Sequence, residues 1–137
     1  MNEQQNIEIV KRGYEAFGSG DIPALLDLFH ENIEWHAPNV ESSPFQENYE
    51  GREAVGEMFA LMDKVEDFSH FAPHEFIAQG DRVVVLGTMS ATVKDTGRDY
   101  KSDWVHIFTV RDGKVTNFLE FFDTAAISTA FQKAATA

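Results

Sequence analysis

Apolar positions recur along this chain in two periods, and the change from one to the other divides it. Ile7, Val10, Tyr14 and Phe17 follow one another at helical intervals and so share one stripe of a first helix. Gly18-Ser19-Gly20 stops that helix. Asp21 is placed to cap a second, from Ile22 to Phe29, with Pro23 tolerated in its first turn. Leu25, Leu26, Leu28 and Phe29 give this second helix a broad apolar face. Ile33-Glu34-Trp35-His36-Ala37 then alternates as a strand does and ends at Pro38. Residues 38 to 50 carry two Pro and two Ser with no period, a long loop of the kind that is often functional. A third helix follows from about Gly51, with Val55, Met58, Phe59 and Met62 at helical spacing.

From about Phe68 to Asp123 the pattern is that of strands, rich in Val, Ile, Phe, Thr and Trp. Gln79-Gly80-Asp81-Arg82, Asp95-Thr96-Gly97-Arg98 and Arg111-Asp112-Gly113-Lys114 mark three hairpin turns. Residues 124 to 137 are small and weakly amphipathic through Ile127 and Phe131, which predicts a short helix that frays. Neither repeats nor a linker interrupt the chain, so one domain over 1–137 is expected. Helices followed by an antiparallel meander predict an α+β architecture with the helices on one face of the sheet. A strongly curved sheet around a helix leaves a concave cavity, the default place for a ligand.

Composition narrows the partners. The chain has 137 residues, enough to bury a sizeable core, and twelve Phe to fill it. Eleven basic against twenty-three acidic residues give a net charge of -12, which repels nucleic acid and anionic membrane surfaces. With no Cys, disulfide and thiolate chemistry are excluded. The start is polar and acidic, no run approaches membrane-spanning length, and a cytoplasmic location is expected. His30, His70 and His74 form no metal-spacing cluster, and there is neither a Gly-rich phosphate loop nor a Ser-centred nucleophile motif. Neither metal nor cofactor is therefore expected.

Four segments, in order over nearly the whole chain, carry a resemblance. They are Gly20-Asp21-Ile22, Glu34-Trp35-His36-Ala37-Pro38, Tyr49-Glu50-Gly51-Arg52-Glu53-Ala54-Val55, and Gly113-Lys114-Val115 followed by Glu120-Phe121-Phe122-Asp123. The sequence resembles the nuclear transport factor 2-like superfamily, within it the SnoaL-like and ketosteroid-isomerase-like proteins. The resemblance implies a cystatin-like α+β roll, with three N-terminal helices packed on a curved, mostly antiparallel sheet that forms a conical pocket. It says less about activity, because this scaffold hosts isomerases, cyclases, hydrolases, dehydratases and non-catalytic members.

Two chemistries of the superfamily are not supported residue by residue. Ketosteroid isomerase needs an Asp base, a Tyr and a protonated Asp. Those positions fall here on Ala37 (or His36 if the strand is bulged), Gly13 and His106. The Asp-Arg-Asp set of limonene epoxide hydrolase falls approximately on Met89, Gly87 and Glu120, leaving one carboxylate. The polyketide-cyclase branch is more similar: it places a His and an acid on the last two long strands, at the spacing of His106 and Glu120. The acid there is Asp. Glu adds one methylene, enough to matter where positioning is tight.

Whether His106 and Glu120 meet depends on the last hairpin, because side chains alternate faces along a strand. A two-residue Asp112-Gly113 turn pairs Val105 with Glu120 and sends His106 to the opposite face. A three-residue turn from Arg111 to Gly113 pairs Trp104 with Glu120 and His106 with Phe118, so that all four share a face. Asp-Gly favours the first, a Gly closing a type I turn the second, and the resemblance tips the reading to the second. In that register Glu120 lies among Phe118, Phe122 and Trp104, where a carboxyl has a raised pKa and can share a proton with His106. The catalytic candidates are thus His106 and Glu120. Tyr14, Trp35, Trp104, Phe118 and Phe122 are the candidate ligand-binding residues, and His36 alternates away from Trp35.

Two functions follow. One is a small cofactor-independent enzyme using acid–base chemistry on a hydrophobic carbonyl compound, as an isomerase, cyclase or dehydratase does. The other is a non-catalytic module of the same fold that binds a small ligand or a partner chain. Apolar residues on both faces of the last strand, Leu119 and Phe121 against Phe118 and Phe122, imply that both faces are covered. A homodimer packed on the outer face of the sheet accounts for that, and members of the superfamily often dimerise.

Overall fold

The computed structural model describes residues 2–133. Helix α1 (Glu3–Gly18) opens on a capping box in which the Asn2 side chain accepts from the Gln5 amide and the Gln5 side chain accepts from the Asn2 amide. The chain leaves α1 through Ser19 and a left-handed Gly20. Asp21 then caps α2 (Ile22–Asp27) by accepting from the Ala24 amide. This helix is shorter than its apolar face suggested, because Phe29 already begins strand β1 (Phe29–His36). The long loop that follows ends in a short strand, β2 (Asn48–Glu50), and Gly51 starts α3 (Arg52–Val65).

Beyond α3 the chain runs through β3 (Glu66–Gln79), β4 (Arg82–Val93), β5 (Asp99–Arg111) and β6 (Lys114–Phe122) to α4 (Thr124–Phe131), which Asp123 caps. Strand β3 begins directly at the end of α3, slightly earlier than expected. The expected final helix is present to Phe131, and residues 134–137 lie outside the described residues.

The strands form one six-stranded sheet in the order β2-β1-β6-β5-β4-β3. All neighbours are antiparallel except β1 and β6, which run parallel. The architecture is thus the expected α+β one, with helices packed on a curved, mostly antiparallel sheet. Pro73 lies on β3, an outermost strand, at a register shift between Pro73 and Glu75, where its missing N–H breaks no regular ladder. Alternation is regular on β4 and β5: Val83, Val85, Met89, Ala91 and Val93 point to the same side as Tyr100, Trp104, His106, Phe108 and Val110. That concave side faces α1 and α3, whose Ile9, Val10, Val55, Met58 and Phe59 complete the core. Among the described residues no helix is long and apolar enough to cross a membrane.

Candidate functional site

The last hairpin turns on two residues, not three. Arg111 pairs with Lys114, and Asp112 and Gly113 both have positive φ (50° and 80°), the conformation that an Asp-Gly type I′ turn requires. That turn alone would put His106 and Glu120 on opposite faces. They nevertheless face each other, because the register shifts by one residue between Thr109 and Val110. Val110 pairs with Val115 but Thr109 with Asn117, so Thr116 is an extra residue in β6, a β-bulge. From there on Phe108 opposes Phe118, His106 opposes Glu120 and Trp104 opposes Phe122. The three-residue turn and its Trp104–Glu120 pairing are therefore wrong in detail. The shared face they implied is correct, for a different physical reason.

His106 is the centre of the site. It is buried at 5% exposure, with the Trp104 ring stacked 3.9 Å away on one side and Phe118 edge-on at 4.8 Å. Its Nε2 lies 3.1 Å from Glu120 Oε2, and its Nδ1 lies 2.8 Å from the Tyr14 hydroxyl. Burial raises the Tyr14 phenol well above its ordinary range, and the Glu120 charge adds to this, so the hydroxyl stays protonated and donates. Burial likewise lowers the His106 pKa, against the opposing pull of Glu120, and favours the neutral ring. A neutral His106 that accepts at Nδ1 carries its proton on Nε2 and donates it to Glu120. The chain Tyr14–His106–Glu120 thus has a fixed direction. Glu120 is less enclosed than its apolar neighbours suggested, its side chain being 18% exposed.

These groups line a cavity of about 130 Å³ between the concave face and the helices. Its walls are mostly aromatic and aliphatic. Tyr14, Trp35, Phe118 and Phe122 all contribute, as do His106 and Glu120. Trp35 lies flat on Phe118, with ring centroids 3.6 Å apart. Phe45, from the loop after β1, meets Phe131 of α4 with centroids 6.3 Å apart, and both also line the cavity.

Trp104 does not line the cavity, so its expected contact with a ligand needs correction. It is 1% exposed and lies beneath His106, and its indole occupies the space left by Gly87 on β4. A Cβ at Gly87 would come within 2.1 Å of that indole. Alternation alone could not separate a residue on the cavity face from one that opens into the cavity. Trp104 supports the imidazole from behind.

His36 faces away from Trp35 and bonds Asn48, as alternation predicts. His30 accepts from the Asn32 amide, while His70 and His74 both bond the Thr88 hydroxyl. No three described His, Asp or Glu side chains lie close enough together to hold a metal ion.

The sequence reading missed a second polar pair in the same cavity. Glu66, at the first position of β3, and Tyr100, on β5, both line it. The Tyr100 hydroxyl donates to Glu66 Oε1 at 2.5 Å, and the two residues are 7% and 6% exposed. Burial pushes the Glu66 carboxyl up to about 7, partly offset by the Tyr100 hydrogen bond and reinforced by the Glu120 charge. Tyr100 is a period-two neighbour of Trp104 and His106, so alternation could have found it. Glu66 sits in Lys64-Val65-Glu66-Asp67, which reads as an ordinary charged junction.

Residues 10–118 match the model of the SnoaL-like domain. The chain belongs to the SnoaL-like family. Among solved structures, an NTF2-like protein from Burkholderia xenovorans is 36% identical with a TM-score of 0.85, over 96% of this chain and 99% of that one. TerC, crystallised with polyporic acid, is 35% identical with a TM-score of 0.82, over 93% and 98%. Bal32a, from a soil-derived mobile gene cassette, is 29% identical with a TM-score of 0.83, over 95% and 98%. No curated protein matches the chain. The SnoaL-like fold thus extends over nearly the whole sequence.

Proposed function

We propose that this SnoaL-like protein is a cofactor-independent enzyme that moves protons on an apolar carbonyl compound, in the manner of an isomerase, cyclase or dehydratase. The observation that carries the proposal is the His106–Glu120 contact, 3.1 Å long, at the wall of an apolar cavity with Tyr14 fixing the imidazole from the other side. The Glu120 carboxylate accepts a proton from the carbon α to the carbonyl. The C–H electron pair passes into an enolate. The protonated Glu120 then returns the proton to another carbon for isomerisation, or the enolate carbon attacks a second carbonyl for cyclisation and Glu120 gives its proton to the alkoxide that forms. His106 positions the carboxylate through its Nε2–H, and Tyr14 keeps that tautomer in place. Apolar walls exclude water and strengthen each of these interactions. Support comes also from TerC, a relative crystallised with the small molecule polyporic acid.

The test uses 2-acetylnaphthalene in deuterium oxide, with loss of its methyl protons followed by proton NMR. The protein should accelerate exchange, and Glu120→Gln should slow the catalysed rate by about a hundredfold or more. Exchange that Glu120→Gln leaves intact, in a folded variant, would rule out Glu120 as the base.

A second reading concerns assembly. On the convex face Leu86, Val105 and Phe121 form one cross-strand row, and Ile77, Val84, Ile107 and Leu119 form the next. Phe121 is 51% exposed, Ile77 49% and Leu86 36%. Contiguous exposed apolar rows on a sheet mark an association surface. We infer a homodimer packed through this face, compatible with a ligand cavity on the other side.

A further inference from the structure

The acid–base site occupies one part of the cavity. Glu66 and Tyr100 occupy another, and the proton transfer described above uses neither. Tyr100 and His106 both point to the concave side of β5, six residues apart, at most about 20 Å along the strand at ~3.3 Å per residue. The walls around the two polar pairs are apolar, with Phe68, Phe71, Met89 and Phe122 among them.

Buried polar groups are normally satisfied by the protein itself. Here the two residues carry three oxygens, and the bond from Tyr100 to Glu66 Oε1 engages two of them. No described residue bonds Glu66 Oε2, and that oxygen is not among the fully enclosed side-chain atoms that lack a partner. Glu66 itself lines the cavity, which makes this oxygen available to a molecule held there. A carboxyl pushed up to about 7 carries a hydrogen below that pH, and Tyr100 keeps its own. Two O–H groups share one internal hydrogen bond, so one donor is left for whatever fills the cavity.

We infer that Glu66 and Tyr100 form a second ligand-binding subsite, which donates a hydrogen bond to an uncharged oxygen of the substrate remote from the carbonyl handled by Glu120. This rests on reading the cavity as a site for carbonyl compounds. It narrows the substrate class to rigid apolar molecules with two separated oxygen functions, such as diketones, quinones or hydroxyketones. A carboxylate or phosphate does not suit the subsite. It would meet the charge of Glu120, and no Lys or Arg lies among the described residues that line the cavity.

The test compares dissociation constants for two pairs of probes: acetophenone with 1,4-diacetylbenzene, and 2-acetylnaphthalene with 2,6-diacetylnaphthalene. Trp fluorescence reports binding, since Trp35 lines the cavity. For at least one pair the wild type should bind the diketone about five- to tenfold more tightly than the monoketone, the value of one neutral hydrogen bond. Glu66→Leu should bring that ratio to about one. Glu66→Gln, which keeps an N–H donor, should restore it. If Glu66→Leu does not fold, Tyr100→Phe carries the test and should lower the ratio several-fold. A wild-type ratio near one, no measurable binding of any diketone, or a ratio that survives removal of the Glu66 carboxyl overturns the inference. Glu120→Gln should leave the ratio intact while slowing catalysed deuterium exchange about a hundredfold or more, so the subsite and the acid–base assignment can fail separately.

Discussion

Burial holds the Glu66 carboxyl up at about 7 against an ordinary 4.5, so between those values the folded chain retains a proton that the unfolded chain releases. The resulting stabilisation is fully present below pH 4.5 and is lost as pH rises through about 7. Its size is on the order of a few kcal/mol. His106 has the opposite sign. Its folded value is depressed, so its contribution is present above pH 6.5 and lost as pH falls. Chemical unfolding of wild type and Glu66→Gln at pH 5 and pH 7.5 separates the two. The variant should lose less stability than wild type on going to the higher pH, because it keeps His106 and lacks the titrating carboxyl. Equal pH dependence in both proteins would mean that Glu66 is ionised throughout in the fold. Tyr14 shows the same limit of sequence reading from the other direction. Its place on the apolar stripe of α1 is evident from spacing, but its bond to a residue 92 positions away is not.

At the scale of elements, the helices, the three hairpin turns and the concave face of β5 were legible because each rests on local signals: capping residues, glycines beside polar turn residues, and alternation. The Thr116 bulge was not. An extra residue inside a strand leaves alternation intact on either side and shifts only the partner against which it is read. Thr116 itself shows how the irregularity is accommodated, its hydroxyl reaching the Thr109 carbonyl at 3.4 Å and Asn117 Oδ1 at 2.9 Å. Deleting Thr116 while keeping the Asp112-Gly113 turn would leave Thr109 opposite Asn117 and His106 opposite Glu120 on a regular ladder. A strand that kept Thr116 but lost the bulge would instead pair Val105 with Glu120 and turn Phe118 and Phe122 to the convex face. Exposing the ring of Phe118, now 1% exposed, would cost about 2–3 kcal/mol, which favours the bulged register. The deletion variant should therefore keep the near-ultraviolet signal of the packed aromatics. Loss of that signal in a folded variant would show that the bulge does more than set the register.

For the whole molecule, a net charge of -12 keeps copies apart at long range, while the convex face provides apolar surface for contact at short range. Light scattering should find a dimer whose dissociation constant falls as salt screens that charge. Leu86→Glu combined with Phe121→Glu should yield a monomer of half the mass that still binds 2-acetylnaphthalene. A monomeric wild type would remove the role assigned to those rows.

The one parallel pairing in the sheet, between β1 and β6, has a further effect. Glu34 and Asn117, which bond across it, are 83 positions apart. Closing so long a loop is entropically unfavourable before any contact offsets it, and chains dominated by such pairings fold in milliseconds to seconds. Strand β6 carries Glu120 and lies between β1 and β5, so it is held by one local neighbour and one very distant one. The half of the acid–base pair on β5 can be in place early. The half on β6 takes its final position only when the two distant parts of the chain meet.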